Sequence, residues 1–354
     1  MRRTGDGARL GATAPVSDRW PMPDAEFPVA GNEQIDNEIQ VAAFDSNVAD
    51  VQWSHSLFDQ PWWLDAVAPG SWSEVVIREG GIVIGRMPFG HARRLGVTVL
   101  GHPPLTQTLG PWVRVPSDAS YAHGLTAEMD VMERLITALP RFDIFHQQFS
   151  HFVVNALPFH WAGFSTSIRY TYRIEDLTDL DAVLAGFRPN VRRHLRKAAG
   201  RLEVRDDLGL DRFLEVHAST FKRRGMAVPY DDSVVRHIDA ASASRGCRRI
   251  LFAQDSSGHV HAAQYIVWDK RATYGLMGGV DPDFTSSGAA SVLMWEAIRH
   301  ASTVSRAFDF EGSMVKSIER FVRQFGARQT PYLRVAKANV LGRALLAARS
   351  MARR

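Results

Sequence analysis

Near the end of the chain, Phe308-Asp309-Phe310-Glu311-Gly312 alternates aromatic and acidic residues and stops at a glycine. Period-two alternation over so short a run predicts a strand with one buried face. Asp309 and Glu311 are expected on its other face, about 7 Å apart at two strand rises. Directly afterwards Ile318, Phe321, Val322 and Phe325 recur at helical spacing, and Gly326 is placed to end that helix. A strand ending in acids, with a short amphipathic helix directly after it, requires a layered fold in which a sheet carries carboxylates to its C-terminal edge.

The same order occurs earlier. Phe142-Asp143-Ile144-Phe145 leads to Trp161-Ala162-Gly163-Phe164 and then Arg169-Tyr170-Thr171-Tyr172. The later copy runs through Gln324-Phe325-Gly326-Ala327 to Pro331-Tyr332-Leu333-Arg334. A hairpin, a loop and an amphipathic helix precede each copy. The predicted class is mixed α/β, as two tandem units whose twisted sheets are flanked by helices. The expected division is a disordered tail over 1–38, units over 39–176 and 177–338, and a basic helix over 339–354.

Bulk properties exclude several classes. Cys247 is the only cysteine, so no intrachain disulfide can form, which suits a reducing compartment. No apolar segment follows Met1-Arg2-Arg3 before Pro15, and no run reaches membrane-span length. A cytoplasmic protein is expected, with contact to the inner membrane surface through its last helix. That helix is basic, because no acid follows Glu319 in the chain. It places Leu341, Leu345 and Ala348 on one side and suits either anionic lipid or packing on its own domain.

Thr285-Ser286-Ser287-Gly288-Ala289-Ala290 joins a predicted strand to a predicted helix. Small residues at a helix N-terminus expose N–H groups that suit a phosphate. A strand, a small-residue loop, a helix and an acid-bearing strand, in that order, resemble the core of the GNAT acyltransferases. The GNAT pyrophosphate loop is Gln/Arg-x-x-Gly-x-Gly/Ala. Gly288 and Ala290 fall in register with it, and Thr285 stands where that loop has Gln or Arg.

Over roughly residues 52 to 336 the chain resembles the duplicated GNAT branch. That branch holds the Fem-type peptidoglycan aminoacyltransferases and acetyltransferase-like proteins of exopolysaccharide and cellulose loci. The carriers are the acidic strand, Phe325-Gly326-Ala327, Asn190-Val191-Arg192-Arg193-His194-Leu195-Arg196-Lys197-Ala198 and Phe221-Lys222-Arg223-Arg224-Gly225. The long coiled-coil arm that Fem-type enzymes often carry has no counterpart in this sequence.

The resemblance implies direct attack of an amine or hydroxyl on a thioester, with acetyl-CoA or another acyl-CoA as co-substrate and no metal. Asp309 or Glu311 would take the proton, and Tyr332 would protonate the leaving thiolate. Thr285, Ser286, Ser287, Gly288, Ala289 and Ala290 would hold the donor. Arg192, Arg193, Lys197, Arg224, Gln264 and Arg323 are candidate contacts to a phosphorylated acceptor, such as a lipid-linked saccharide. The backbone amides of the loop and the acidic strand are expected to open into one hollow. Two alternatives stay open: aminoacyl-tRNA as donor, and a non-catalytic binding module. Cys247 lies beside Arg248 and Arg249, a setting that can lower a thiol pKa, but no His or Asn is tied to it in the sequence and it is not read as a nucleophile. His151 and His160 sit in an aromatic region and read as structural.

Overall fold

The computed structural model describes residues 50–352 apart from Arg224 and Ser313. The expected N-terminal tail, the last two arginines and the candidate contact Arg224 lie outside the described residues.

The first half begins with α1 (Pro61–Val67), whose proline sits in the first turn, where its missing N–H costs nothing. Strands β1 (Trp72–Glu79) and β2 (Ile82–Arg94) form a hairpin across Gly80-Gly81. Then come β3 (Val97–Gly101), the short β4 (Trp112–Val113), α2 (Tyr121–Thr137), β5 (Ile144–Gln148), α3 (Leu157–Trp161) and β6 (Ser165–Ile174). The second half opens with α4 (Leu180–Gly186), α5 (Pro189–Ala198), β7 (Leu202–Arg205), α6 (Gly209–Arg223) and α7 (Asp232–Ser244). It continues through β8 (Arg248–Asp255), β9 (Val260–Trp268), β10 (Ala272–Val280), α8 (Ala289–Val304) and β11 (Ala307–Asp309). It closes with α9 (Lys316–Val322), β12 (Arg328–Ala338) and α10 (Val340–Ala352).

All strands join one sheet in the order β1-β2-β3-β5-β12-β6-β11-β10-β9-β8-β7, with β4 on β2. Apart from β4 and β7 the order is palindromic. In each half three antiparallel strands lead to one parallel pair, β3 with β5 and β10 with β11. The last strand of each half is then exchanged. β12 pairs with β5, β6 pairs with β11, and the two exchanged strands pair with each other along Arg328–Ala336 and Ser165–Arg173. The duplication legible in the sequence is therefore a duplication of architecture, with a crossed connection at its centre.

Cores lie on both faces. In the second half one face packs Tyr265, Tyr274 and Ala307 against α6, α7 and α1 residues such as Phe213, Ile238 and Trp63. The other packs Phe308 and Phe310 under α8 with Leu293, Ala297 and Phe325. Phe308 is fully buried, a contribution of about 2–3 kcal/mol.

The acidic strand is shorter than its alternation predicts. β11 ends at Asp309, and Glu311 adopts a left-handed φ of 51°. The cause is local. The N–H of Glu311 donates to Asp309 Oδ1 at 2.8 Å, and the N–H of Gly312 donates to Thr171 Oγ1 at 2.9 Å. These bonds turn the chain out of the ladder, so Asp309 and Glu311 do not share a strand face. A side chain at 312 would drive its Cβ into the Thr171 backbone, so only glycine fits there.

The two parallel pairs differ at their C-terminal ends. In the first half His146 covers the end of the pair, with its Nε2 only 2.5 Å from where a Cβ on Gly101 would lie. His102 lies alongside, 6.5 Å between ring centroids, and its Nε2 accepts the Gln148 N–H at 2.5 Å. Burial, above all, pushes His102 down to about 3 and His146 down to about 4. Both rings are neutral in the fold, whereas in the unfolded chain they would protonate near the ordinary histidine value. The unfolded state therefore binds more protons below about pH 6.5, and stability must fall with pH in that range. Urea titrations at about pH 7 and about pH 5 should show a loss on the order of 2 kcal/mol per histidine, and His146→Gln should remove part of that slope.

Candidate active site

The parallel pair of the second half stays in register from Ala272/Ala307 to Tyr274/Asp309. There β11 ends, while β10 runs on to Val280. At the same place the ladder between β10 and β9 slips between Tyr274 and Met277, a bulge in which Gly275 and Leu276 stand opposite the single residue Ile266. The sheet thus opens along a seam beyond Tyr274 and Asp309. Gly275 stands at that seam, and a Cβ there would lie 3.6 Å or more from its nearest neighbours, Gln264, Asp309 and Phe308.

Asp309 sits at the mouth of the seam, on the α6/α7 side. Its Oδ2 accepts from Arg173 Nη1 at 2.7 Å, and its Oδ1 accepts from Thr171 Oγ1 at 2.5 Å. Arg173 in turn donates from Nε and Nη2 to Glu175, at 2.9 and 3.3 Å. The guanidinium and Asp309 are both buried, so this pair fixes the carboxylate in one orientation.

Asp309, Arg173 and Thr171 line a cavity of about 20 Å³, room for roughly one water. Its other walls come from distant segments: His55 and Phe58, Gln107 and Thr108, Ser150 and His151, Tyr274 and Tyr332. Burial, and secondarily the Arg173 guanidinium, brings His151 down to about 4. Burial likewise lowers His55, whose Nε2 lies 3.1 Å from the Pro111 carbonyl. Burial raises Tyr332; the Arg169 guanidinium, which bonds its hydroxyl, opposes that, and the Asp309 and Glu311 carboxylates add to the rise. The Tyr332 hydroxyl donates to Gln148 Oε1 at 3.2 Å.

The loop before α8 lies on the opposite face of the sheet. Gly288 caps α8 with φ 85°, a conformation that favours glycine. Thr285 and Ser286 are exposed, and Ala289 is buried. The Ala289 N–H is met by Ser287 Oγ at 3.3 Å. Among the described residues the N–H groups of Gly288 and Ala290 have no acceptor. Helix α5 passes over this loop: a Cβ on Gly288 would meet His194 Cβ at 3.3 Å, and His194 Nδ1 lies 3.5 Å from Ser291 Oγ.

The expected site residues fall into two groups. Asp309 and Tyr332 meet at the cavity. Glu311 does not line it, but its carbonyl accepts from the cavity residue Gln107 at 3.3 Å. The loop over 285–290 joins the α5 cluster, in which Arg193 and Lys197 are exposed while Arg192 donates to the Ala185 carbonyl at 2.8 Å. The amides and the carboxylate, expected in one hollow, occupy opposite faces of the sheet. Gln264 lies at the seam and donates to the Met277 carbonyl at 3.0 Å. Its neighbour Tyr265 points away into the core, where its hydroxyl donates to Asp239 at 2.9 Å. Arg323 is 3.4 Å from Glu319 and apart from both groups. Cys247 departs from expectation, since burial raises its thiol to about 11 despite the neighbouring arginines. His55, Gln107, His151, Arg173 and Tyr274 were not singled out as site residues, and no spacing in the sequence connects them.

Residues 185–339 match the family model described as an acetyltransferase (GNAT) domain. No curated protein matches the chain. Among solved structures, FemX superposes with a TM-score of 0.58 at 13% identity, over 79% of this chain and 92% of that one. A conserved protein of unknown function from Bacteroides thetaiotaomicron gives 0.50 at 10% identity, over 80% and 90%. A tandem GNAT protein from the clavulanic acid biosynthesis pathway gives 0.46 at 14% identity, over 76% and 83%. Residues 185–339 thus match the GNAT acetyltransferase domain, and the described chain shares the fold of FemX.

Proposed function

We propose that this chain transfers an acyl group, acetyl in the simplest case, from a coenzyme A thioester to an amine or hydroxyl of a cell-envelope or polysaccharide precursor. The observation that carries this reading is the seam between β10 and β11. The free N–H groups at the start of α8 lie on one face of the sheet, and a fixed carboxylate with a buried tyrosine lies on the other. The equivalent place in the first half is plugged by His146, which favours the second unit as the reacting one.

In this reading the N–H groups of Gly288 and Ala290 hold the donor's pyrophosphate, and Arg193 and Lys197 add positive charge beside it. The small residues over 285–290 and the two unmet amides fit such a ligand. The acceptor enters from the cavity face. Its nitrogen or oxygen forms the new bond to the thioester carbon as the C–S bond breaks and the electron pair leaves with sulfur. Asp309 is held in place by Arg173 and Thr171, so it presents negative charge to the attacking group without reorganising. The proton passes to Asp309 or, through the cavity, to neutral His151. Tyr332 is kept protonated by burial and so suits the role of donor to the thiolate.

The exposed cations of α5 also favour a second reading, with aminoacyl-tRNA as donor. Binding of tRNA that weakens steeply with salt would support it.

Calorimetry with acetyl-CoA tests the first reading. Binding is expected, and the double variant Arg193→Glu/Lys197→Glu should weaken it about tenfold, on the order of 1.4 kcal/mol. Absence of heat at millimolar donor would overturn it. Once an acceptor is in hand, Tyr332→Phe should lower kcat on the order of a hundredfold with little change in KM. Asp309→Ala should also cost about 3 kcal/mol of stability in urea, because it strips the buried Arg173 of one partner. Asp309→Asn keeps the shape and is the better kinetic probe.

A further inference from the structure

Helix α10 is fastened to the first half by one side only. A Cβ on Gly342 would run into the Asp143 carbonyl, so the helix meets that backbone directly. Leu346 is buried with Val97, Val99 and Ile144, and Leu345 packs on the same group. The side turned outward is apolar. Val340 is 80% exposed and Met351 71%, and Leu341, Ala344, Ala347 and Ala348 are exposed between them. Leu341 and Ala348, expected on one side with Leu345, in fact face outward, whereas Leu345 leans toward the core.

The β2–β3 turn adjoins this helix, since Val97 and Leu346 share a core. At its tip Leu95 is 87% exposed with a left-handed φ of 50°. A leucine gains nothing from water there and is strained besides. Arg93 and Arg94 directly precede it, and Arg343 and Arg349 lie on the helix. Arg94 and Arg349 stand close enough for each to feel the other's charge. The nearby acid, Asp143, is engaged by the Thr98 N–H and the Asn339 amide, both at 2.7 Å.

We propose that the outer face of α10 and the β2–β3 turn form a docking surface for an anionic lipid bilayer. The patch combines apolar side chains with a basic rim. A bilayer with acidic headgroups satisfies both at once. A second copy does not, because a two-fold contact through this face would set the arginines of one copy against those of the other. The helix lies on the membrane and does not cross it: its length is about 20 Å, against about 30 Å of hydrocarbon. No helix among the described residues is long and apolar enough to span a membrane.

Flotation of the full-length protein with phosphatidylcholine vesicles, alone or with about one quarter phosphatidylglycerol, tests this surface. The proposal requires binding to the anionic vesicles, about tenfold weaker without the acidic lipid or in about 0.5 M salt. Leu95→Asp and Leu341→Asp should each reduce it several-fold while leaving the melting temperature unchanged, since both side chains are exposed. Three results overturn it: no binding, equal binding to both vesicle types, or a dimer in solution that the same variants disperse. None of these depends on acetyl-CoA, so the transferase reading stands or falls separately.

Discussion

The ladder between β6 and β12 holds the molecule together. Each is the last strand of one half, and each is built into the sheet beside the other half's parallel pair. Neither half can complete its own sheet, so the two must fold as a coupled object. The crossing also places residues at the site. It brings Thr171 and Arg173 of β6 onto Asp309 of β11, and Tyr332 of β12 beside the same cavity. Without the exchange the acidic strand would face a strand of its own half.

The halves share an architecture and differ at the end of the parallel pair. In both, a glycine comes directly after the last residue of the parallel pair, Gly101 in β3 and Gly275 in β10. In the first half a histidine ring lies across that glycine. In the second, the neighbours stand off and β10 bulges. A side chain thus covers the first place, whereas the second has room for a Cβ at ordinary contact distance. The Arg173–Asp309 pair stands at this second place and fixes the carboxylate there.

Much of the chain was legible from local pattern. Alternation and helical spacing locate the hairpins, α8, α9 and the glycine stop at 326. The repeat of a strand, a glycine and an aromatic strand betrays the duplication. The exchange of β6 and β12 was not legible, because strand order depends on pairings across more than a hundred residues. The early end of β11 was missed because Phe310 and Glu311 continue its alternation, while side-chain bonds from Asp309 and Thr171 end the ladder. Asp309 and Tyr332 could be proposed from a motif. His55, Gln107, His151 and Arg173 could not, since only the folded sheet brings their segments together.

The seam is the proposed meeting place of donor and acceptor. Hydrogen exchange by mass spectrometry, with and without acetyl-CoA, examines it most directly. The account predicts slowed exchange at 286–290 and at 275–277, with residues 99–102 and 144–146 of the first half unchanged. Protection confined to the first half, or none at the β10 bulge when the donor is bound, would contradict it.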